Sequence, residues 1–237
     1  MLLTGILIAA HWILFFAAAR VSTVSICLAG MATGSLWTSI LEPLVMRRPF
    51  KWYELLLGLI VILGLYVIFR FEFNHALGLA MAVASAFLSS AFTVINSRLT
   101  VQHNHFLITF WEMVGACGAI ALFFPLYIAT LAEGGALQLS VSWGDVGALL
   151  VLALVCTVYA YSVSVELQKR LSAFTVNLTV NLEPIYGIIL AIIIFREHEQ
   201  LTAGFFWGTA IILSAVLIYP LFVRMERRRQ LSVRKIQ

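Results

Sequence analysis

The sequence predicts an all-α polytopic membrane protein with eight transmembrane helices arranged on an inverted repeat. Three observations lead there. Composition comes first: 62% of the 237 residues are hydrophobic and only 11% are charged, with a mean hydropathy of +1.01. A soluble domain is nearer about half apolar and about a quarter charged. Eight apolar runs separated by short polar stretches are the second observation, and a self-match at a shift of 150 residues is the third.

A spanning helix needs roughly 20 mostly apolar residues. The runs lie at about 2–19, 22–46, 52–70, 76–97, 105–131, 144–167, 173–195 and 201–223. Between them stand Arg20, "RRPFKWYE", "RFEFNH", "RLTVQHNH", "EGGALQLSVSWGD", "QKR" and "REHEQ", none long enough for a soluble domain. The opening "MLLTGILIAAHWILFFAAAR" reads as a span rather than a signal peptide. It lacks a basic start, and His11 and Trp12 interrupt its apolar part. The three cysteines, Cys27, Cys117 and Cys156, are far apart in apolar runs, a spacing that suits neither disulfides nor a metal site.

With eight spans the loop charges separate by side. One side holds Arg47, Arg48, Lys51, Arg98, Lys169, Arg170, Arg224, Arg227, Arg228, Arg229, Arg234 and Lys235, twelve of the fifteen basic residues. The other holds Arg20, Arg70 and Arg196 beside Glu72, Glu133, Asp145, Glu197 and Glu199. The positive-inside rule places the first side, and both termini, in the cytoplasm. The implied location is the bacterial cytoplasmic (inner) membrane. The tail "RMERRRQLSVRKIQ" suits an anchor on anionic lipid.

At the 150-residue shift "ARVSTVSICL" lies over "KRLSAFTVNL", pairing Arg20 with Arg170, Ser22 with Ser172 and Leu28 with Leu178. "GLIVILGLYVIF" lies over "GTAIILSAVLIY", pairing Gly58 with Gly208 and Ile62 with Ile212. Spans one to three repeat spans six to eight, with five spans from one start to the other, an odd number, so the copies face opposite ways, as in alternating-access transporters. Residues 1–70 then form an incomplete first repeat of three spans, 71–223 a complete second repeat of five, and 224–237 a basic tail. The expectation is part of a five-plus-five inverted-repeat transporter fold lacking its first two spans, whether as a fragment, a late start or a natural eight-span form.

The unit "RLSAF…NLEP…REHEQLTAGFFWGTAIILSAVLIY" resembles the second half of an EamA-type module of the drug/metabolite transporter superfamily. The shared features are a small residue after a basic loop, a mid-helix proline, a Glu-containing turn some residues on, and a closing helix that opens on glycine. The likeness is weaker over 1–70, where Gly34 stands in place of the proline and "EPLVMRRPFKWYE" replaces the Glu turn. The resemblance implies ten spans in two inverted halves and transport of a small molecule. It does not specify which one.

The polar residues within the spans are the candidate site. Asn177, Asn181 and Glu183 interrupt the seventh run, with Pro184 directly behind. On a helical wheel Ser172, Thr175, Thr179, Glu183 and Tyr186 share one face, and Asn177, Asn181 and Pro184 lie opposite, so this span should be central and wrapped by protein. Pro184 has no N–H for the Val180 carbonyl, which predicts a kink. Asparagines in membrane helices also serve as interhelical glue. A carboxylate in low dielectric is costlier and marks function more sharply. The next cation along the chain, Arg196, is about 19 Å away at the helical rise.

Tyr159, Tyr161 and Ser162, with Ser89, Ser90 and Thr93, are plausible cavity walls or packing residues, and Trp111 can stack on a ligand or fill volume. Glu42 reaches toward Arg47 or Arg48, and Glu112 lies near a helix end; both suit a gate or ion pair. His11 serves equally as a core or a proton-site histidine. The expected substrate-binding set is Glu183, Asn181, Asn177, Tyr186, Thr179, Tyr159 and Trp111.

The leading expectation is a secondary transporter exporting a small metabolite or drug-like solute against proton entry, without a cofactor, metal or nucleic acid. Its partners are the solute, lipid and protons, with a homodimer compatible. The rival is a non-transporting scaffold, sensor or degenerate paralogue. An enzyme is disfavoured because the acid–base residues are scattered.

Overall fold

The computed structural model describes residues 1–71, 73–130, 140–180, 183–195 and 202–234. Among these every regular element is a helix. In chain order they are α1 (Leu2–Val21), α2 (Val24–Met31), α3 (Gly34–Met46), α4 (Trp52–Phe71), a short 3-10 turn (Phe73–His75), α5 (Ala76–Leu99), α6 (His105–Thr130), α7 (Trp143–Val151), a π-helix (Leu152–Tyr161), α8 (Ser162–Leu167), α9 (Ala173–Val180), α10 (Glu183–Phe195) and α11 (Ala203–Arg234). Among the described residues six helical stretches are long and apolar enough to cross a membrane: Leu2–Val21, Val24–Met46, Ala76–Leu99, His105–Ala129, Trp143–Leu167 and Ala203–Glu226. The chain is therefore a polytopic membrane protein. Of the two other apolar runs, one is the shorter apolar helix Trp52–Ile68 and the other is covered by α9 and α10.

The second run, expected as one span, is two helices. Thr33 donates both its N–H (3.1 Å) and its hydroxyl (2.8 Å) to the Gly30 carbonyl, which tightens the turn and ends α2. Backbone groups inside a bilayer must be satisfied by protein. Here the Gly34 carbonyl accepts from Ser90 of α5 and from Thr38, each at 2.8 Å. The pair α2–α3 is also the most enclosed stretch: 72% of its span is buried, against 6% of Trp143–Leu167.

That corrects the expectation that 173–195 is the wrapped central span. α9 buries Ala173, Phe174, Val176 and Asn177, but α10 leaves Tyr186, Ile189, Ile193 and Ile194 exposed and packs on α2 at Gly187 and Ile188. Of the described polar groups of this run, Asn177, Glu183 and Tyr186 border a cavity. The kink expected at Pro184 involves positions 181 and 182, which lie outside the described residues.

The main core joins the two ends of the chain. Ile26, Tyr53, Leu57 and Ile68 from the first four helices pack with Phe174, Phe205, Ile212 and Tyr219. α4 and α11 run antiparallel, Ile68 lying against Gly208 and Tyr53 stacked on Phe222. Their crossing is closest at two glycines: a Cβ on Gly64 would sit 2.7 Å from the Gly208 carbonyl, and one on Gly208 2.6 Å from the Gly64 carbonyl. The antiparallel pair holds together on small residues, as membrane helices do where lipid gives no hydrophobic drive.

Candidate functional site

A cavity of ≈ 480 Å³ lies between α1, α2, α5, the π-helix, α8, α9 and α10. Its polar wall comprises His11, Ser89, Thr93, Thr157, Tyr161, Ser164, Gln168, Asn177, Glu183 and Tyr186, and Trp12, Phe15, Phe16 and Phe92 supply much of the aromatic wall. Volume and mixed lining suit a small amphipathic ligand. A larger space of ≈ 690 Å³ lies along α3, α4 and α5, but its walls are apolar except for the Trp37 and Tyr66 tips, as suits a surface facing hydrocarbon. The smaller cavity has the chemistry.

Each polar group there is positioned by its helix. Glu183 is the first described residue of α10. Among the described residues no ion pair involves it. Asn177 is buried and donates to Thr38 Oγ1 at 2.6 Å, and Thr38 in turn donates to the Gly34 carbonyl. Asn177 is thereby tied to the interruption between α2 and α3. His11 holds its Nδ1 2.7 Å from the hydroxyl and 3.0 Å from the carbonyl of Ser85 on α5, with its ring edge-on to Phe92.

Of the seven residues expected from sequence, the structure brings Glu183, Asn177 and Tyr186 to this cavity. The wheel separates Asn177 from Glu183. The five lining positions Val176, Asn177, Val180, Glu183 and Tyr186 cover about half the circumference at 100° per residue, so one cavity takes in both. Thr179 instead donates to its own Thr175 carbonyl, and neither Tyr159 nor Trp111 lines the cavity, both being exposed. Asn181 lies outside the described residues. Of the broader set, Tyr161, Ser89 and Thr93 do line it, whereas Ser90 is buried against the Gly34 and Ala86 carbonyls. Gln168, Ser164 and Thr157 were not singled out from sequence. Thr157 lies in the π-helix, where its hydroxyl donates to the Leu152 carbonyl, and such irregular turns are frequent at functional sites.

Two further polar networks tie the helices together. At the α3–α4 connection Arg48 Nη2 reaches Glu54 at 2.7 Å and Glu42 at 3.2 Å. Glu42 Oε2 also accepts the Phe174 N–H at 2.8 Å, capping the start of α9 from across the bundle. Burial works against the Arg48 charge, but the hydrogen bond to Glu54 and the field of Glu42 outweigh it and hold the guanidinium above its usual range. Glu42 therefore pairs with Arg48, while Arg47 adopts a left-handed conformation, φ 51°, that closes α3. The second network joins Glu112 of α6, Asn96 of α5 and Tyr161 at the end of the π-helix.

The model of the EamA-like transporter family matches residues 76–220, from the first residue of α5 into α11. The chain belongs to that family. The EamA family is one of membrane transporters within the drug/metabolite transporter superfamily. No curated protein and no solved structure matches the chain.

Proposed function

We propose that this EamA protein is a secondary transporter that exports a small metabolite or drug-like solute by alternating access, against proton entry. In this reading the chain has eight spans, with α4 and the α9–α10 run crossing the membrane alongside the six long helices, and both termini are cytoplasmic in a bacterial inner membrane. Residues 1–70 and 151–220 are inverted copies. The observation that carries the reading is the polar cavity bounded by Glu183, Asn177 and Tyr186.

The repeat adds support. At a shift of 150 the interruption at Ala32–Thr33 is matched by position 182, which lies outside the described residues, and by Glu183. Inverted-repeat transporters bind substrate near the bilayer midplane, where the two repeats meet. Glu183 then anchors a cationic group of the solute or exchanges a proton, Asn177 and Tyr186 orient the solute by hydrogen bonds, and the aromatic wall covers its apolar part.

The test is flux in proteoliposomes loaded with a pH-sensitive dye and challenged with a panel of amino acids and lipophilic cations. Wild-type protein should couple a panel member to proton movement, and Glu183→Gln should slow that flux at least about tenfold, the loss of one strong polar contact. Equal flux in the two proteins removes Glu183 from the mechanism.

A further inference from the structure

We propose that Glu112 is a proton-binding site and that Tyr161 transmits its protonation state to the cavity wall. The use of that proton in transport rests on the reading above; the binding itself does not.

Glu112 is fully buried on α6, with 0% exposure, and so is Asn96 on α5. Tyr161 donates to Glu112 Oε2 at 2.9 Å, and Asn96 Nδ2 donates to the same oxygen at 3.2 Å and to the Tyr161 oxygen at 2.9 Å. Both donors converge on one carboxylate oxygen. Glu112 Oε1 and Asn96 Oδ1 have no hydrogen-bond partner among the described residues. Two buried acceptors without a donor leave the network incomplete, and incomplete buried networks are costly. A proton on Oε1 makes that oxygen a donor and leaves both bonds to Oε2 in place.

The charges facing the site do not replace it. Asn96 and Tyr161, the partners from α5 and the π-helix, are uncharged donors. From α1, which packs on α6 at Gly5, the Met1 amino group contributes a positive field without an ion pair among the described residues. From α8, Glu166 lies beside His105, at 3.9 Å, two turns before Glu112 on α6.

Protonation loosens the hold on Tyr161. While Glu112 is ionised, the Tyr161 hydroxyl donates to it in a charge-assisted bond, roughly twice as strong as a neutral one. Once Oε1 takes up a proton, the bond from Tyr161 to Oε2 loses that charge assistance, and the phenol is held less firmly. Tyr161 both lines the cavity and ends the π-helix, so this change is felt in the cavity wall. Glu183 borders the cavity directly; Glu112 acts on the same space through Tyr161.

Infrared difference spectra of the full chain in lipid nanodiscs, recorded in pH steps, read both groups without any solute. Acidification should raise a carboxylic-acid carbonyl band and shift the tyrosine C–O band with the same midpoint. Glu112→Gln, which keeps an oxygen to accept from Tyr161, should abolish both changes, and Glu183→Gln should leave them in place. Tyr161→Phe should keep the carbonyl band and move its midpoint. Persistence of both changes in Glu112→Gln overturns the proposal, as does a wild-type tyrosine band indifferent to pH. Should Glu112→Gln fold poorly, an unmoved midpoint in Tyr161→Phe overturns it independently. Because no flux is measured, a failed transport assay leaves this result standing, and a successful one does not rescue it.

Discussion

Removing Arg48 should be among the most damaging single substitutions outside the apolar core. Its guanidinium serves two carboxylates whose side chains are 4% and 2% exposed, at 3.2 Å for Glu42 and 2.7 Å for Glu54. Hydrogen bonds to charged groups are worth about 1.5–3 kcal/mol each, and stripping the partner from a buried pair costs about 3–5 kcal/mol. Two carboxylates would be left facing each other, and one would take up a proton, which holds the loss toward the lower figure. An Arg48→Ala cost of about 3 kcal/mol corresponds to a fall in Tm of roughly 6–12 °C for a chain of this size. Glu54→Gln leaves the Arg48–Glu42 pair and the cap on Phe174 in place, so it should cost about 1 kcal/mol. Thermal unfolding in a single detergent, read by tryptophan fluorescence, measures both. If Glu54→Gln destabilises as much as Arg48→Ala, the shared-cation argument fails, because the damage would then not follow the number of carboxylates left bare.

Three further outcomes follow from the packing. Gly64→Ala should cost about 1–3 kcal/mol through overpacking against α11, whereas Gly147→Ala, with nothing within 4 Å, should be neutral or slightly stabilising; unfolding midpoints separate them. Asn177→Ala should lower stability by only about 0.6 kcal/mol, the usual size of one interhelical side-chain bond, and a loss several times larger would contradict a single contact to Thr38. Of the three cysteines only Cys156 borders the polar cavity, while Cys27 is buried and Cys117 is exposed on α6 away from the cavity lining. A small water-soluble maleimide should therefore modify Cys156 fastest in lipid nanodiscs, as mass spectrometry of the peptides would report.

Helix positions were legible because a bilayer demands long apolar runs and tolerates few charges between them. The interruption at Ala32–Thr33 was not, since "LAGMATGSL" reads equally as small residues packed in one span; the turn is fixed by the Thr33 hydroxyl on Gly30 and by Ser90 from α5. Glu42 could be matched to a nearby arginine from spacing alone. Its bond to the Phe174 N–H, 132 residues on, depends on how α9 meets α3, and no local pattern encodes that. Thr179, Tyr159 and Trp111 were chosen as polar or aromatic residues within apolar runs. Residue type does not say which side of a helix meets a cavity and which meets lipid. The π-helix has no sequence signature, so Thr157 and its neighbours could be placed on the cavity only from the backbone.

At the 150-residue shift Asn177, Asn181 and Glu183 lie over Cys27, Met31 and Thr33. In the structure that imbalance becomes a division of roles. α2–α3 contributes an interrupted backbone whose carbonyls are held by Thr33, Thr38 and Ser90, and the 173–195 run contributes side chains. The two are joined by a continuous chain of bonds from Asn177 to Thr38 to Gly34. A solute that displaced Asn177 from Thr38 would thus disturb the buried interruption as well as the cavity wall. Asn177 need not be either glue or ligand contact: its bond to Thr38 makes it interhelical glue, and its place on the cavity wall makes that bond available for exchange.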